Sequence, residues 1–129
     1  MILVDTSVWI DFFKNRQNSK VQKLTGFFLK DEDICLCGII LTEVLQGIVS
    51  DKEYMTVKKV FQNLIVLPIG LDTYVNAAGI YRLGRQKGYT IRNSIDCLIA
   101  ACAVEHGARL LENDKDYEVI AKFTNLKLL

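Results

Sequence analysis

Four carboxylates stand where they can act together: Asp5, Glu43, Asp96 and Asp114. Asp5 ends a short apolar run, Ile2 to Val4, and Asp114 follows closely on another, Ala108 to Leu111. Glu43 is the one charged residue between Gly38 and Val49, a composition that predicts burial. Asp96 opens an apolar helical pattern through Leu98, Ile99 and Cys102. Carboxylates gathered in a partly buried cleft repel one another and destabilise the fold unless a cation neutralises them. No basic residue adjoins Asp5, Glu43 or Asp96 in sequence. Oxygen-only ligands select a hard ion, so the expected cofactor is Mg²⁺ or Mn²⁺. Taken singly, three of them have plainer explanations, a strand-end turn for Asp5, a dipole-favoured first-turn acid for Asp96 and an Asn-Asp turn for Asp114, whereas Glu43 is harder to dismiss.

The elements around these acids supply the reason to group them. Ile2 to Val4, Ile34 to Cys37 and Ala108 to Leu111 are wholly or nearly apolar, as strands buried on both faces are, and Leu64 to Leu67 and Leu126 to Leu129 are further strand candidates. Helical spacing recurs between them, at Val21, Leu24, Phe27 and Phe28, and again at Tyr54, Val57, Val60, Phe61 and Leu64. A further helix is expected from Asp72 as N-cap to just before Gly88, and another from Asn93 or Ser94 to Gly107. Alternating strands and helices predict one α/β domain over residues 1–129, a three-layer α/β/α architecture around a mostly parallel sheet. In such sheets the functional crevice lies outside the carboxyl ends of the strands. Asp5, Glu43 and Asp114 leave that edge directly. The helix of Asp96 runs antiparallel to the strand that follows it, which returns Asp96 to the same edge.

Half of the 129 residues are apolar and 24% are charged, which excludes a disordered chain. The longest uncharged run, Val60 to Leu71, is twelve residues, well short of the ~18 a membrane helix requires. The apolar start without a basic lead argues against a secretory signal, so the cytoplasm is the expected compartment. Cys35, Cys37, Cys97 and Cys102 lie in apolar runs and read as buried thiols; no histidine adjoins them to activate a nucleophile. His106, before Gly107, is placed to meet the last carbonyls of its helix. Net charge is +1, but without the four acids eleven acidic residues face sixteen basic ones. Thr73 to Ile95 contains no acid, while Arg82, Arg85, Lys87 and Arg92 lead towards Asp96. That segment is either a solvated helix face or a positive rim. A rim that holds a phosphate backbone beside a metal pocket is what a phosphodiester-cleaving enzyme needs. An acidic-pocket binding module and a Mg²⁺-dependent phosphatase are the alternatives. The phosphatase usually carries a second Asp two residues after its nucleophile, where Ser7 stands here.

Asp5-Thr6-Ser7-Val8-Trp9-Ile10-Asp11, Thr42-Glu43-Val44-Leu45-Gln46-Gly47, Ser94-Ile95-Asp96-Cys97-Leu98-Ile99-Ala100-Ala101 and Asn113-Asp114-Lys115-Asp116-Tyr117, in this order, resemble the four motifs of PIN-domain ribonucleases, specifically the VapC toxins of VapBC toxin–antitoxin pairs. The resemblance covers essentially the whole chain. It implies a metal-dependent endoribonuclease that cuts structured RNA such as tRNA or rRNA, leaves a 5′-phosphate and a 3′-hydroxyl, forms a homodimer and is silenced by a VapB antitoxin. It assigns the metal to Asp5, Glu43, Asp96 and Asp114, a supporting hydroxyl to Thr6 or Ser7, and a more variable acid to Asp116. The family usually has Thr or Ser where this chain has Glu112. Trp9, Phe12, Phe13, Phe27 and Phe28 exceed what two helices need if each buries one stripe, so Trp9, Phe12 and Phe13 are expected to line an antitoxin groove.

Overall fold

The computed structural model describes residues 1–129. Five strands, β1 (Ile2–Val4), β2 (Ile34–Cys37), β3 (Ile65–Leu67), β4 (Arg109–Leu111) and β5 (Lys127–Leu128), form one sheet in the order β3-β2-β1-β4-β5. Every pairing is parallel, so the sheet is entirely and not merely mostly parallel. β1 is central, with Leu3 in register with Cys35 on one side and Leu110 on the other. All residues of β1 and β2 are buried, which is why these segments read as continuous apolar runs.

Seven helices connect the strands: α1 (Thr6–Phe13), α2 (Ser19–Leu29), α3 (Gly38–Gln46), α4 (Asp51–Gln62), α5 (Leu71–Gln86), α6 (Ser94–Glu105) and α7 (Lys115–Ala121). The chain steps outward from β1 through β2 to β3, then crosses back to β4 and outward to β5. Right-handed crossovers therefore put α1–α4 on one face and α5–α7 on the other. Contacts of α1 with α2 and α3, and of α6 with α5 and α7, agree with that division. The reversal of strand order creates a switch point between β1 and β4, the place where open parallel sheets bind ligands.

One expected boundary is corrected. The N-cap of α5 is Gly70, and Asp72 lies in the first turn. Thr73, not Asp72, does the capping work, accepting the Gly70 N–H at 3.2 Å and donating to Glu105 Oε2 at 2.6 Å. Two glycines place the loop that leads to Asp96. Gly88 turns the chain out of α5 with φ +82°, and a Cβ on Gly84 would lie 2.8 Å from Ile91 Cδ1. Ile91 is thereby tucked against α5, which anchors Arg92 and Asn93 at the start of α6.

Trp9 is fully buried, contrary to the groove expectation. Its ring stacks on Phe13 at 5.7 Å between centroids and meets Phe61 edge-on at 5.0 Å. The eight-residue α1 packs against the sheet while α2 and α4 cover it with Phe28 and Phe61, so more than one stripe is buried. Phe12 and Phe13 remain half-buried and Phe28 is exposed at the rim of this cluster. All four cysteines are buried free thiols, as expected, and burial pushes Cys35 and Cys97 up to about 11.

Candidate metal and active site

Four of the five acids, all but Glu43, stand at the start of a helix. Asp5 ends β1 and caps α1, its Oδ2 accepting from the Ser7 amide at 3.3 Å and the Ser7 hydroxyl at 2.8 Å. Asp114 leaves β4 and caps α7, its Oδ1 accepting from the Asp116 amide at 2.9 Å. Asp96 and Asp116 lie in the first turns of α6 and α7, where the helix dipole favours negative charge. Glu43, half-buried in α3, accepts from the Thr6 hydroxyl at 2.8 Å. The two hydroxyls that the sequence could not separate thus take different acids: Ser7 orients Asp5, Thr6 orients Glu43.

Carboxylate oxygens of Asp96, Asp114 and Asp116 lie within 4.8 Å of one another. Asp5 joins this group through Tyr117, whose buried hydroxyl donates to Asp5 Oδ1 at 2.7 Å. Glu43 is tied to the Asp5 end through Thr6 and is not within that tight trio. Desolvation, with the charges of Asp114 and Asp5, pushes Asp96 up to about 7. Burial among the same carboxylates also drives Tyr117 strongly upward, so its phenol stays protonated and donating.

Asp116 and Tyr117 carry more of the site than the sequence indicated. Asp116 is 4% exposed, fully part of the pocket. Their signal was their position, two and three residues after the capping Asp114, which turns both back over Asp96 and Asp5. Glu112 is buried and accepts the Asp114 amide at 2.7 Å through Oε2, with Oε1 3.9 Å from Lys20 Nζ. It thereby supplies the acceptor that a hydroxyl residue would give the turn. Its pKa is raised, first by burial, while the Asp114 amide and Lys20 pull it down.

The positive segment divides. Arg82, Arg85 and Lys87 are exposed on and just after α5, with Arg85 5.9 Å from the Tyr81 ring centre. Arg92 is not part of a free rim: its Nε lies 3.4 Å from Asp116 Oδ1 and a terminal nitrogen 3.5 Å from Asp114 Oδ1. His106 meets its helix end as expected, with Nδ1 2.9 Å from the Cys102 carbonyl.

The donor set fits a hard divalent ion. Asp96 Oδ2 is buried with no hydrogen-bond partner, an arrangement costly in a finished core and natural for a ligand atom. The Asp trio offers only oxygens, as Mg²⁺ and Mn²⁺ prefer.

The comparison with protein families identifies the fold. The PIN domain pattern matches residues 2–123, and the chain belongs to that family. The VapC ribonuclease Mb1587 of Mycobacterium bovis and Ribonuclease VapC11 of Mycobacterium tuberculosis are each 37% identical to it over 130 residues, covering 98% of this chain and 96% of theirs. Among solved structures, VapBC2 from Rickettsia felis bound to a promoter DNA fragment superposes with a TM-score of 0.77 at 22% identity, over 100% of this chain and 98% of that one. VapBC-1 from nontypeable Haemophilus influenzae gives 0.76 at 20% identity, over 100% and 97%.

Proposed function

We propose that this chain is the toxin of a type II toxin–antitoxin pair, an endoribonuclease whose divalent ion is held by Asp5, Glu43, Asp96 and Asp114 together with Asp116. The unpartnered, buried Asp96 Oδ2 beside Asp114 and Asp116 is the observation that carries this reading. The 37% identity to VapC ribonucleases across nearly the whole chain supplies the reaction class.

When bound, Mg²⁺ or Mn²⁺ polarises the phosphoryl group and lowers the pKa of a water, so that hydrolysis leaves a 5′-phosphate and a 3′-hydroxyl. The protein's own work is orientation. Tyr117 and Ser7 fix both Asp5 oxygens, and Thr6 turns Glu43 inward, so these carboxylates need not reorganise when a cation and substrate arrive. The exposed Arg82, Arg85 and Lys87 hold the RNA backbone by charge, independently of base sequence. A folded tRNA or rRNA is then selected by shape.

The expected partner is a VapB-type antitoxin. An apolar segment of it would rest on half-buried Phe12 and Phe13, with Trp9 supporting them from the core, and a basic side chain would reach Asp5 and Asp96. The solved structures with this fold include toxin–antitoxin complexes, which supports that pairing. One PIN domain over residues 1–129, acting as a homodimer in the cytoplasm, completes the reading. No helix here is long and apolar enough to cross a membrane.

The test is incubation of the pure protein with total RNA in Mg²⁺, in Mn²⁺ and in chelator, beside Asp5→Asn. Cleavage is expected only for the native sequence with metal. Equal cleavage in chelator, or by Asp5→Asn, refutes the proposed site.

A further inference from the structure

Arg92 occupies the acids that the metal would need. Asp116 Oδ2 accepts the Arg92 amide at 3.1 Å, and Oδ1 faces its Nε at 3.4 Å, so Arg92 engages both oxygens of this buried carboxylate. A terminal guanidinium nitrogen takes Asp114 Oδ1 at 3.5 Å. These side-chain contacts are long, since charge-assisted N–H···O bonds usually span about 2.7–2.9 Å. The Arg92 side chain is also 69% exposed, whereas that of Asp116 is 6% exposed. A loosely held cation thus covers a tightly held anion. Meanwhile Asp96 Oδ2, in the same trio, has no partner, so Arg92 compensates only part of the pocket's charge.

We propose that Arg92 is the pocket's internal counter-ion, which exchanges with the divalent metal and, once released, holds a phosphate of the RNA beside the cut. This rests on the metal-dependent reading above. Two cations cannot share Asp114 Oδ1 and Asp116 Oδ1 without repelling each other, so entry of the ion displaces the guanidinium. The Arg92 amide keeps Asp116 Oδ2, and burial of Ile91 keeps the loop in place, so the side chain moves while its backbone stays. The freed guanidinium has the planar fork that suits a phosphate and lies at the pocket's mouth. Metal loading and RNA capture are then coupled through one side chain. The metal-free toxin has an acidic pocket veiled by Arg92, and the loaded toxin presents that positive charge outward.

Mn²⁺ binding by calorimetry on the wild type, Arg92→Gln, Arg92→Lys and Lys59→Gln tests the exchange, with circular dichroism confirming folding. Arg92→Gln should bind Mn²⁺ about two- to fivefold more tightly, the range set by loss of a weak, partly exposed ion pair. Arg92→Lys should fall between it and the wild type. Lys59→Gln, a charge lost on α4, should change affinity less than about twofold because salt screens distant charges. At saturating Mn²⁺, Arg92→Gln should raise the KM for RNA about three- to tenfold, with Arg92→Lys recovering part of the loss. Equal or weaker Mn²⁺ binding by Arg92→Gln overturns the exchange while leaving the metal reading intact. Tighter binding with an unchanged KM overturns the phosphate role. A wild type that binds no Mn²⁺ defeats the metal reading, and this proposal with it.

Discussion

The two ends of α1 obey opposite rules. At its start, Asp5, Thr6 and Ser7 enter a pocket whose polar groups are oriented but not fully satisfied. Four residues on, Trp9 lies in an aromatic cluster with Phe12, Phe13, Phe28 and Phe61. The first region stores electrostatic cost and leaves it for a cation to relieve. The second supplies the packing that allows the fold to carry that cost. Removing a group from the pocket should therefore cost activity and spare stability, and removing one from the cluster should do the reverse.

Trp9→Ala gives the largest expected loss of stability, about 3–5 kcal/mol for a fully buried aromatic. Urea denaturation measures it, and cleavage per folded molecule should change little. The loss should fall towards the lower end, because Trp9 Nε1 is a buried donor without a partner. A large fall in activity per folded molecule would break the division between the two regions.

The pocket should give the opposite sign in its pH dependence. Asp96 keeps its proton to about pH 7 in the fold but only to its ordinary value of 3.8 when unfolded. Between these values the folded state binds more protons, so the stability of the metal-free protein falls as pH rises. Coupling to Asp5, Asp114 and Asp116 spreads the titration, and a shift of this size sets an upper bound of about 4 kcal/mol on the total loss. Thermal melts in chelator from pH 4 to pH 8 measure this decline, which Asp96→Asn should flatten. A wild-type curve that rises over the range would contradict the assigned repulsion.

Tyr117→Phe sits between the regions and should show a mixed effect. It keeps the buried ring but leaves Asp5 Oδ1 without its donor, costing about 1–3 kcal/mol of stability. Cleavage should drop about tenfold or more, as loss of a group that orients a metal ligand does. A silent Tyr117→Phe would remove the hydroxyl from the site. The smallest effect belongs to Arg85→Ala, outside both regions. It should weaken RNA binding alike across sequences and reduce the salt slope by somewhat under one unit, leaving metal affinity alone.

Much of this division was legible from residue types. Apolar runs bounded by Asp5 and Asp114 marked the strand ends, and the crevice rule gathered Glu43 and Asp96 with them. The placement of Asp116, Tyr117 and Arg92 in the pocket is not legible in the sequence, for a geometric reason. A residue two or three places past a helix cap turns back over its neighbours only once the helix direction is fixed. Arg92 depends further on the Gly84–Ile91 approach, which no local pattern announces. Trp9 departs from the groove expectation because counting one buried stripe per helix fails for α1, which the sheet covers on one side and α2 and α4 on others. Glu112 broke an expected pattern while preserving its physical purpose, an acceptor for the Asp114 amide.

The most direct measurement takes Asp96→Asn and the wild type in parallel, with thermal melts in chelator at pH 8 and RNA cleavage in Mg²⁺. The expected result is a variant at least as stable as the wild type whose cleavage is lower on the order of 10³-fold, the scale of losing one essential electrostatic group. A variant that is clearly less stable in chelator, or one that still cuts RNA at the wild-type rate, would contradict a pocket whose carboxylates repel one another until a divalent cation binds them.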